Sequence, residues 1–375
     1  MMTQQLTADK KEEIFQCISE TKILDVLRKT TRPFVFIGDP ETLSTLKIRL
    51  SRDNYSYIEW NEGLSDFRID PKFLRPKSII VISSIYDENH ILDQIKAYFE
   101  NNRPASKSSP KLLRLFSDIL VNLLSRQAPF QPSEIELETP EVSYAIVTTP
   151  RSGSTFLCDL LQKSGLAGYP AEHLRRPVEV LSKYCQFDYI RYVKVLMARQ
   201  TTPNKVFGTK LISHFLIRYL EAGLEFDSFF QDFFQKVIYL QRRDKVAQSV
   251  SLFLAKKTGI WHIFNDEMQE LYNTRVDQIE LEECQPEAVK SFYDSLTRQE
   301  EFIEAFLQRS GVLPLKIYYE DLVSCREKYL YDIYQYLGVV TGDDEADHGA
   351  GIKRTKSPLA SQLIQKFKEN YPSLS

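Results

Sequence analysis

Short runs of β-branched and aromatic residues alternate along this chain with longer stretches whose apolar positions recur every third or fourth residue. Residues 33–39 (PFVFIGD), 55–60 and 78–84 (SIIVISS) are apolar runs of strand length. Residues 40–50 carry Leu43, Leu46, Ile48 and Leu50 behind Pro40 at a first helical turn, and residues 89–99 place Ile91, Leu92, Ile95 and Phe99 on one face. Ahead of them, Ile14, Ile18, Ile23, Leu24, Val26 and Leu27 lie among charged neighbours and predict one or two leading helices. Strands alternating with helices predict a small parallel α/β domain over residues 1–103. Its first turn, Gly38-Asp39-Pro40-Glu41, has one glycine and two acids. The acids repel a pyrophosphate, so a structural or docking domain is expected there rather than a dinucleotide site.

Residues 104–141 read as a linker. Residues 101–111 are polar and proline-bounded, and residues 127–142 hold three prolines. Between them residues 112–126 predict an amphipathic helix that packs between domains or pairs with a second subunit, which leaves a homodimer open. Its charge is too sparse for strong membrane binding. The second domain is expected over residues 142–375.

That domain opens on the most informative stretch. Tyr144 to Val147 is a buried-strand run. Thr149-Thr-Pro-Arg-Ser-Gly153 breaks the pattern as a tight loop, and Phe156, Leu157, Leu160 and Leu161 then recur at helical spacing. Strand, loop and helix start together present free backbone N–H groups and a positive dipole end, which suits a phosphate. Ser152, Ser154 and Thr155 add hydroxyls and Arg151 a forked cation. Walker A is excluded, because Gly153-Ser154-Thr155 stands where Gly-Lys-Ser/Thr would be. A second such unit follows: Val237-Ile-Tyr-Leu240 runs into Gln241-Arg242-Arg243-Asp244, then into a helix carrying Ser251. An arginine and a serine held this way grip one phosphate from two sides. Between the two units, an irregular loop at residues 165–174 holds Glu172 and His173 side by side, either able to accept a proton, and Lys210 follows Gly208 at a strand end. Late in the chain, Lys353 and Arg354 sit behind Gly349 and Gly351 in a locally basic stretch suited to a closing lid.

Composition narrows the reading. Apolar residues at 43% and charged residues at 26% are those of a soluble globular protein, and a net charge of −3 gives no footprint for nucleic acid. The five cysteines are scattered with no CxxC spacing, which argues against a zinc site or a disulfide framework and for a reducing compartment. Residues 1–16 lack a signal-peptide core and no apolar run is of bilayer length, so a cytoplasmic location without a transmembrane segment is expected.

Taken as a set, Arg151-Ser-Gly-Ser-Thr155, the Gly165-x-Ala-Gly-x-Pro-x-Glu172 loop, Gly208-x-Lys-Leu211 and Arg242-x-Asp-x-Val-x-Gln-x-Val-x, with Ser251 and Trp261 following, resemble the bacterial trehalose 2-sulfotransferase family. The resemblance covers residues 142–375. It implies a P-loop-like parallel-sheet α/β sulfotransferase domain behind a small Rossmann-like domain. It implies 3′-phosphoadenosine 5′-phosphosulfate (PAPS) as sulfuryl donor, without a metal, and a carbohydrate or glycolipid as acceptor. By the same resemblance Arg151, Ser152, Gly153, Ser154 and Thr155 bind the 5′-phosphosulfate, and Ser251 with Arg242 or Arg243 binds the 3′-phosphate. Glu172 maps to the general base, with His173 as rival, and Lys210 assists. Tyr169 stands where the trehalose enzyme has a second acidic residue. The rival classes are a phosphate-loop kinase and a catalytically silent nucleotide-binding or docking protein.

Overall fold

The computed structural model describes residues 6–21, 33–49, 55–60, 69–75, 78–101, 110–125, 139–185, 187–223, 225–263, 265–340 and 357–374. The chain divides into two units, one of residues 1–138 and 174–199, the other of residues 139–173 and 200–375. The expected helix through residues 23–29 and the basic stretch with Lys353 and Arg354 lie outside the described residues.

The first unit is built on a four-stranded parallel sheet of β1 (Phe34–Gly38), β2 (Ser56–Glu59), β3 (Ile79–Ser83) and β4 (Lys111–Arg114), in the order β2-β1-β3-β4. Each strand of the β1–β3 centre is buried along its whole length, which is why both read as unbroken apolar runs. Val35, Ile37, Ile80 and Ile82 pack against Ile91 and Ile95 of α3 (Glu88–Asn101). Gly38 serves strand approach: a Cβ there would meet the Ser83 carbonyl oxygen at 1.8 Å. Both acids of that turn are engaged. Asp39 accepts the Thr42 N–H at 2.8 Å at the start of α2 (Pro40–Arg49), and Glu41 pairs with Lys11 of α1 (Ala8–Glu20) at 2.5 Å.

The amphipathic helix expected over residues 112–126 begins instead as β4. Lys111 to Arg114 adds an edge strand, its four side chains half-buried, and Asp118 closes it by accepting the Arg114 backbone N–H and pairing with the guanidinium at 3.0 Å. A π-helical turn, Leu115–Leu120, and the short α4 (Val121–Leu124) follow, with Leu115, Phe116, Ile119 and Leu120 buried. Tertiary pairing overrode a helical period here. The unit is completed by α6 (Arg176–Tyr184) and the greater part of α7 (Tyr189–Gln200), which the division at residue 142 assigns to the second domain. Arg176 of α6 pairs with Glu13 of α1 at 2.8 Å, and Arg191 of α7 with Asp118 at 2.6 Å.

The second unit carries β5 (Val142–Thr148), β6 (Val206–Ile212), β7 (Lys236–Gln241) and β8 (Leu315–Tyr318), all parallel, in the order β6-β5-β7-β8. The alternate residues Tyr144, Ile146, Ile238 and Leu240 pack with Leu157, Leu160 and Leu161 of α5 (Ser154–Ser164) and with Leu330, Ile333 and Leu337 of α14 (Arg326–Leu337). Ala145, Val147, Val237 and Tyr239 point to the other face and are equally buried. Between these strands lie α8 (Ser213–Glu221), α9 (Phe226–Phe233), α10 (Lys245–Thr258), α11 (Asp266–Asp277) and α12 (Pro286–Ser310). Around α10, Val250, Phe253 and Leu254 form a helical cluster with Tyr272 of α11, Val289 of α12 and Leu363 and Phe367 of α15 (Pro358–Asn370). The short α13 (Tyr319–Ser324) continues from β8. β5 and β7 are adjacent, so their carboxyl ends set two strand–turn–helix units side by side. That is where open α/β sheets place ligands.

Candidate active site

The β5–α5 turn is fixed by its own backbone and by α10. Arg151 adopts a left-handed φ of 62° and Gly153 one of 88°. Only glycine fits the latter, because a Cβ would lie 2.1 Å from the Tyr319 ring. Gln248, fully buried in α10, donates to Thr149 Oγ1 at 2.9 Å and to the Pro150 carbonyl at 2.7 Å. The Ser152 hydroxyl is buried and bonded to Thr148 Oγ1, which donates to the Leu240 carbonyl at 2.7 Å. Thr148 therefore ties β5 to β7, the Ser152 hydroxyl is spent on Thr148, and what Ser152 offers a ligand is its backbone N–H. Gly153 caps α5 with no side-chain cap bond, so the first amides of that helix keep their positive end for an anion. Ser154 is buried at the first helical position; Thr155 follows, half-buried.

The two strand–turn–helix units meet through Arg151. Its Nε donates to Ser251 Oγ of α10 at 3.0 Å, and its Nη1 donates to the Trp261 carbonyl. Burial pushes the guanidinium pKa down, with Arg242 adding to the effect. Arg242 donates from Nη1 to the Arg151 carbonyl at 3.2 Å, and its guanidinium lies 5.4 Å from the centre of the Tyr319 ring. Arg243 turns elsewhere: it is exposed, paired with Asp321 at 2.5 and 2.6 Å, and lies 4.0 Å over the Tyr318 ring. Of the two arginines left open by spacing, Arg242 is the one beside Arg151.

Glu172 and Lys210 form the third part. The 165–173 loop lies directly on β6: a Cβ on Gly168 would meet the Gly208 nitrogen at 2.6 Å, and one on Gly208 would meet the Tyr144 hydroxyl at 2.6 Å. Gly168 thus lets the loop lie on β6 and Gly208 makes room for the Tyr144 ring, and the loop is sealed by Lys210 N–H donating to the Ala171 carbonyl at 2.9 Å. Glu172 Oε1 is then 2.8 Å from Lys210 Nζ, which is 5% exposed and also donates to Thr155 Oγ1 at 3.2 Å. Thr155 Oγ1 lies 3.4 Å from Nδ1 of His262. Burial, then Lys210 and Arg151, push the His262 pKa down to about 4, so the ring is neutral at pH 7. His173 goes the other way. Its Nδ1 is 3.1 Å from Thr209 Oγ1 and its ring stacks near Phe207, both on the face of β6 opposite Lys210. Neighbouring loop residues are therefore split by the sheet, and only Glu172 faces the phosphate-type turn.

A family model described as Stf0 sulphotransferase matches residues 143–370, about three-fifths of the chain. The chain belongs to the Stf0 sulphotransferase family. Among solved structures, the sulfotransferase domain from the Synechococcus PCC 7002 olefin synthase aligns at 16% identity over 64% of this chain and 98% of its own, with a TM-score of 0.30. No curated protein matches.

The Stf0 match spans every residue of the cluster, from Arg151 to His262, within the second unit. Sequence reasoning carried Gln248 in a motif without a task for it, and missed Tyr319 and His262. The first two act on backbone placed by other elements, and His262 sits beyond the end of α10 with no spacing rule to tie it to Thr155. Among the described residues no group of three His, Cys, Asp or Glu is placed to hold a metal ion, and no helix is long and apolar enough to cross a membrane.

Proposed function

We propose that this Stf0 sulphotransferase moves the sulfuryl group of PAPS onto a hydroxyl of a carbohydrate or glycoconjugate, with Glu172 as the base. The observation that carries the reading is the Arg151–Ser251 hydrogen bond of 3.0 Å, because it brings the two anion-gripping turns to one space. The residues there fit the donor. Backbone amides of the Ser152–Thr155 turn and Arg151 suit the phosphosulfate, and Ser251 with Arg242 suits the 3′-phosphate. Arg242 is preferred to Arg243, whose fork is already taken up by Asp321.

Sulfuryl transfer, like phosphoryl transfer, depends on in-line placement and on charge stabilisation. The acceptor oxygen forms its bond to sulfur while the bond from sulfur to the 5′-phosphate oxygen breaks. The electron pair leaves on that oxygen, giving adenosine 3′,5′-bisphosphate, and the hydroxyl proton passes to Glu172. Lys210 has three donors, two of them used toward Glu172 and Thr155, and the third is available to the departing oxygen. Tyr169 and Trp261, 39% and 46% exposed, offer aromatic faces of the kind that cover the apolar side of a sugar ring. The first unit is proposed to be structural, since Asp39 and Glu41 occupy its turn with bonds of their own.

The test is twofold. Adenosine 3′,5′-bisphosphate raises the melting temperature and ATP does not. Radiolabelled donor transfers sulfate to members of a panel of glucose, trehalose and aryl glucosides. Glu172→Gln abolishes transfer and keeps bisphosphate binding. Stabilisation by ATP alone favours the kinase reading, and turnover retained in Glu172→Gln rules out Glu172 as the base.

A further inference from the structure

Lys210 carries only hydrogens, so in its 3.2 Å contact with Thr155 the threonine oxygen is the acceptor. The hydroxyl then has its own hydrogen to give. Among the described residues, the side chains hydrogen-bonded to that hydroxyl are Lys210 and His262, and only the imidazole has a lone pair to offer, at Nδ1, 3.4 Å away. The geometry points to His262 as a positioning residue of the transfer site: its Nδ1 takes the Thr155 hydroxyl hydrogen, which turns the threonine lone pairs to Lys210 and holds the ammonium beside Glu172.

The chain of contacts runs Glu172 Oε1, Lys210 Nζ, Thr155 Oγ1, His262 Nδ1, at 2.8, 3.2 and 3.4 Å. It works in one tautomer only, with the ring proton on Nε2. The surroundings enforce a neutral ring. Burial does most, Lys210 from β6 and Arg151 from the β5–α5 turn add to it as cations, and Glu172 from the 165–173 loop opposes them as an anion. Thr155 is the second residue of α5, so a rotamer fixed by His262 is fixed within the first turn of that helix. A lysine aimed by two acceptors keeps its third hydrogen in a set direction, which is the geometric demand of charge stabilisation on a leaving oxygen. Without His262 the Thr155 hydroxyl rotates, and Lys210 keeps its pairing with Glu172 but loses its aim.

This inference rests on the sulfuryl-transfer reading for its kinetic consequence but not for its structural one, and the test separates them. The chain has five histidines, so ring ¹⁵N spectra of the full-length protein are tractable, with His262→Asn giving the assignment. At pH 7 His262 shows the neutral Nε2–H pattern; an Nδ1–H tautomer or an imidazolium overturns the inference whatever the enzyme's substrate proves to be. In the transfer assay, His262→Ala lowers kcat by about 10²-fold with the donor KM little changed. His262→Asn, whose amide oxygen falls at the Nδ1 position, restores most of that loss, and His262→Gln, which reaches the Nε2 position, does not. Adenosine 3′,5′-bisphosphate binding by all three variants shows that they fold. Equal kcat for the Asn and Ala variants, or full activity in the Gln variant, overturns the assignment. Absence of transfer by the wild-type protein would sink the proposed function and leave the tautomer result standing.

Discussion

Gly153 is the position in the turn least open to replacement. Its φ of 88° costs an L-residue about 1–2 kcal/mol, and the Tyr319 ring occupies the space of a Cβ. Gly153→Ala is expected to destabilise the protein by more than the conformational cost alone, read by urea denaturation, and to weaken bisphosphate binding, read by calorimetry. Arg242 and Arg243 separate in the same experiment. Arg242→Ala weakens the bisphosphate by about 10- to 100-fold, the worth of a hydrogen bond to a charged group. Arg243→Ala leaves it within about threefold, as expected for an exposed pair. His262 adds a pH dependence. Its folded pKa of about 4 lies below the ordinary 6.5, so between those values the unfolded chain binds the extra proton. Its contribution to stability is full above pH 6.5 and is lost as pH falls toward 4; the same titration of His262→Asn lacks that component. At this scale the sequence was legible in its grouping: Arg151, Glu172 and Lys210, singled out by type, lie around His262 in the structure. It misled at Ser152, whose hydroxyl is spent inside the fold, and it was silent at His262, whose partner is 107 residues away.

Elements were legible in proportion to how far local pattern and burial agree. β1, β3, β5 and β7 are buried on both faces and announce themselves as continuous apolar runs. β4 does not, because Lys111-Leu-Leu-Arg114 has neither alternation nor length, and its pairing to β3 comes from across the chain. Gly168 and Gly208 were visible as loop and strand-end markers, yet their uses, letting the loop lie on β6 and making room for the Tyr144 ring, required the partners. α3 shows the same dependence. Its first residue, Glu88, is fully buried and accepts the Phe116 and Ser117 N–H groups at 2.9 and 3.1 Å, capping the turn that follows β4. Burial pushes its pKa up to about 8 despite those two donors. Glu88→Ala strands both N–H groups and is expected to cost about 2–4 kcal/mol, measured by denaturation, with no change in bisphosphate affinity per folded molecule.

At the scale of the whole molecule, two parallel sheets were foreseen from the sequence, and the route of the chain between them was not. Residues 174–199 leave the second unit just after Glu172 and His173, complete the first, and return before β6. A fragment of residues 142–375 therefore keeps every proposed site residue and still carries α6 with Val178, Val180 and Leu181, all buried in the full chain. Exposing such side chains costs about 1.5–3 kcal/mol each, so that fragment is expected to aggregate on expression, while the full chain stays soluble; sedimentation of the two decides it.

The pairing of α1 with α6 also sets an order on birth at the ribosome. When residues 1–138 have emerged, Ile14, Phe15 and Ile18 have no α6 to cover them, and the chain must emerge as far as Tyr184 first. During that interval β5 and the phosphate-type turn leave the tunnel ahead of α6. The amino-terminal half thus reaches its finished form only after the catalytic half has begun, which makes the early nascent chain a natural client for a chaperone that shields apolar helices.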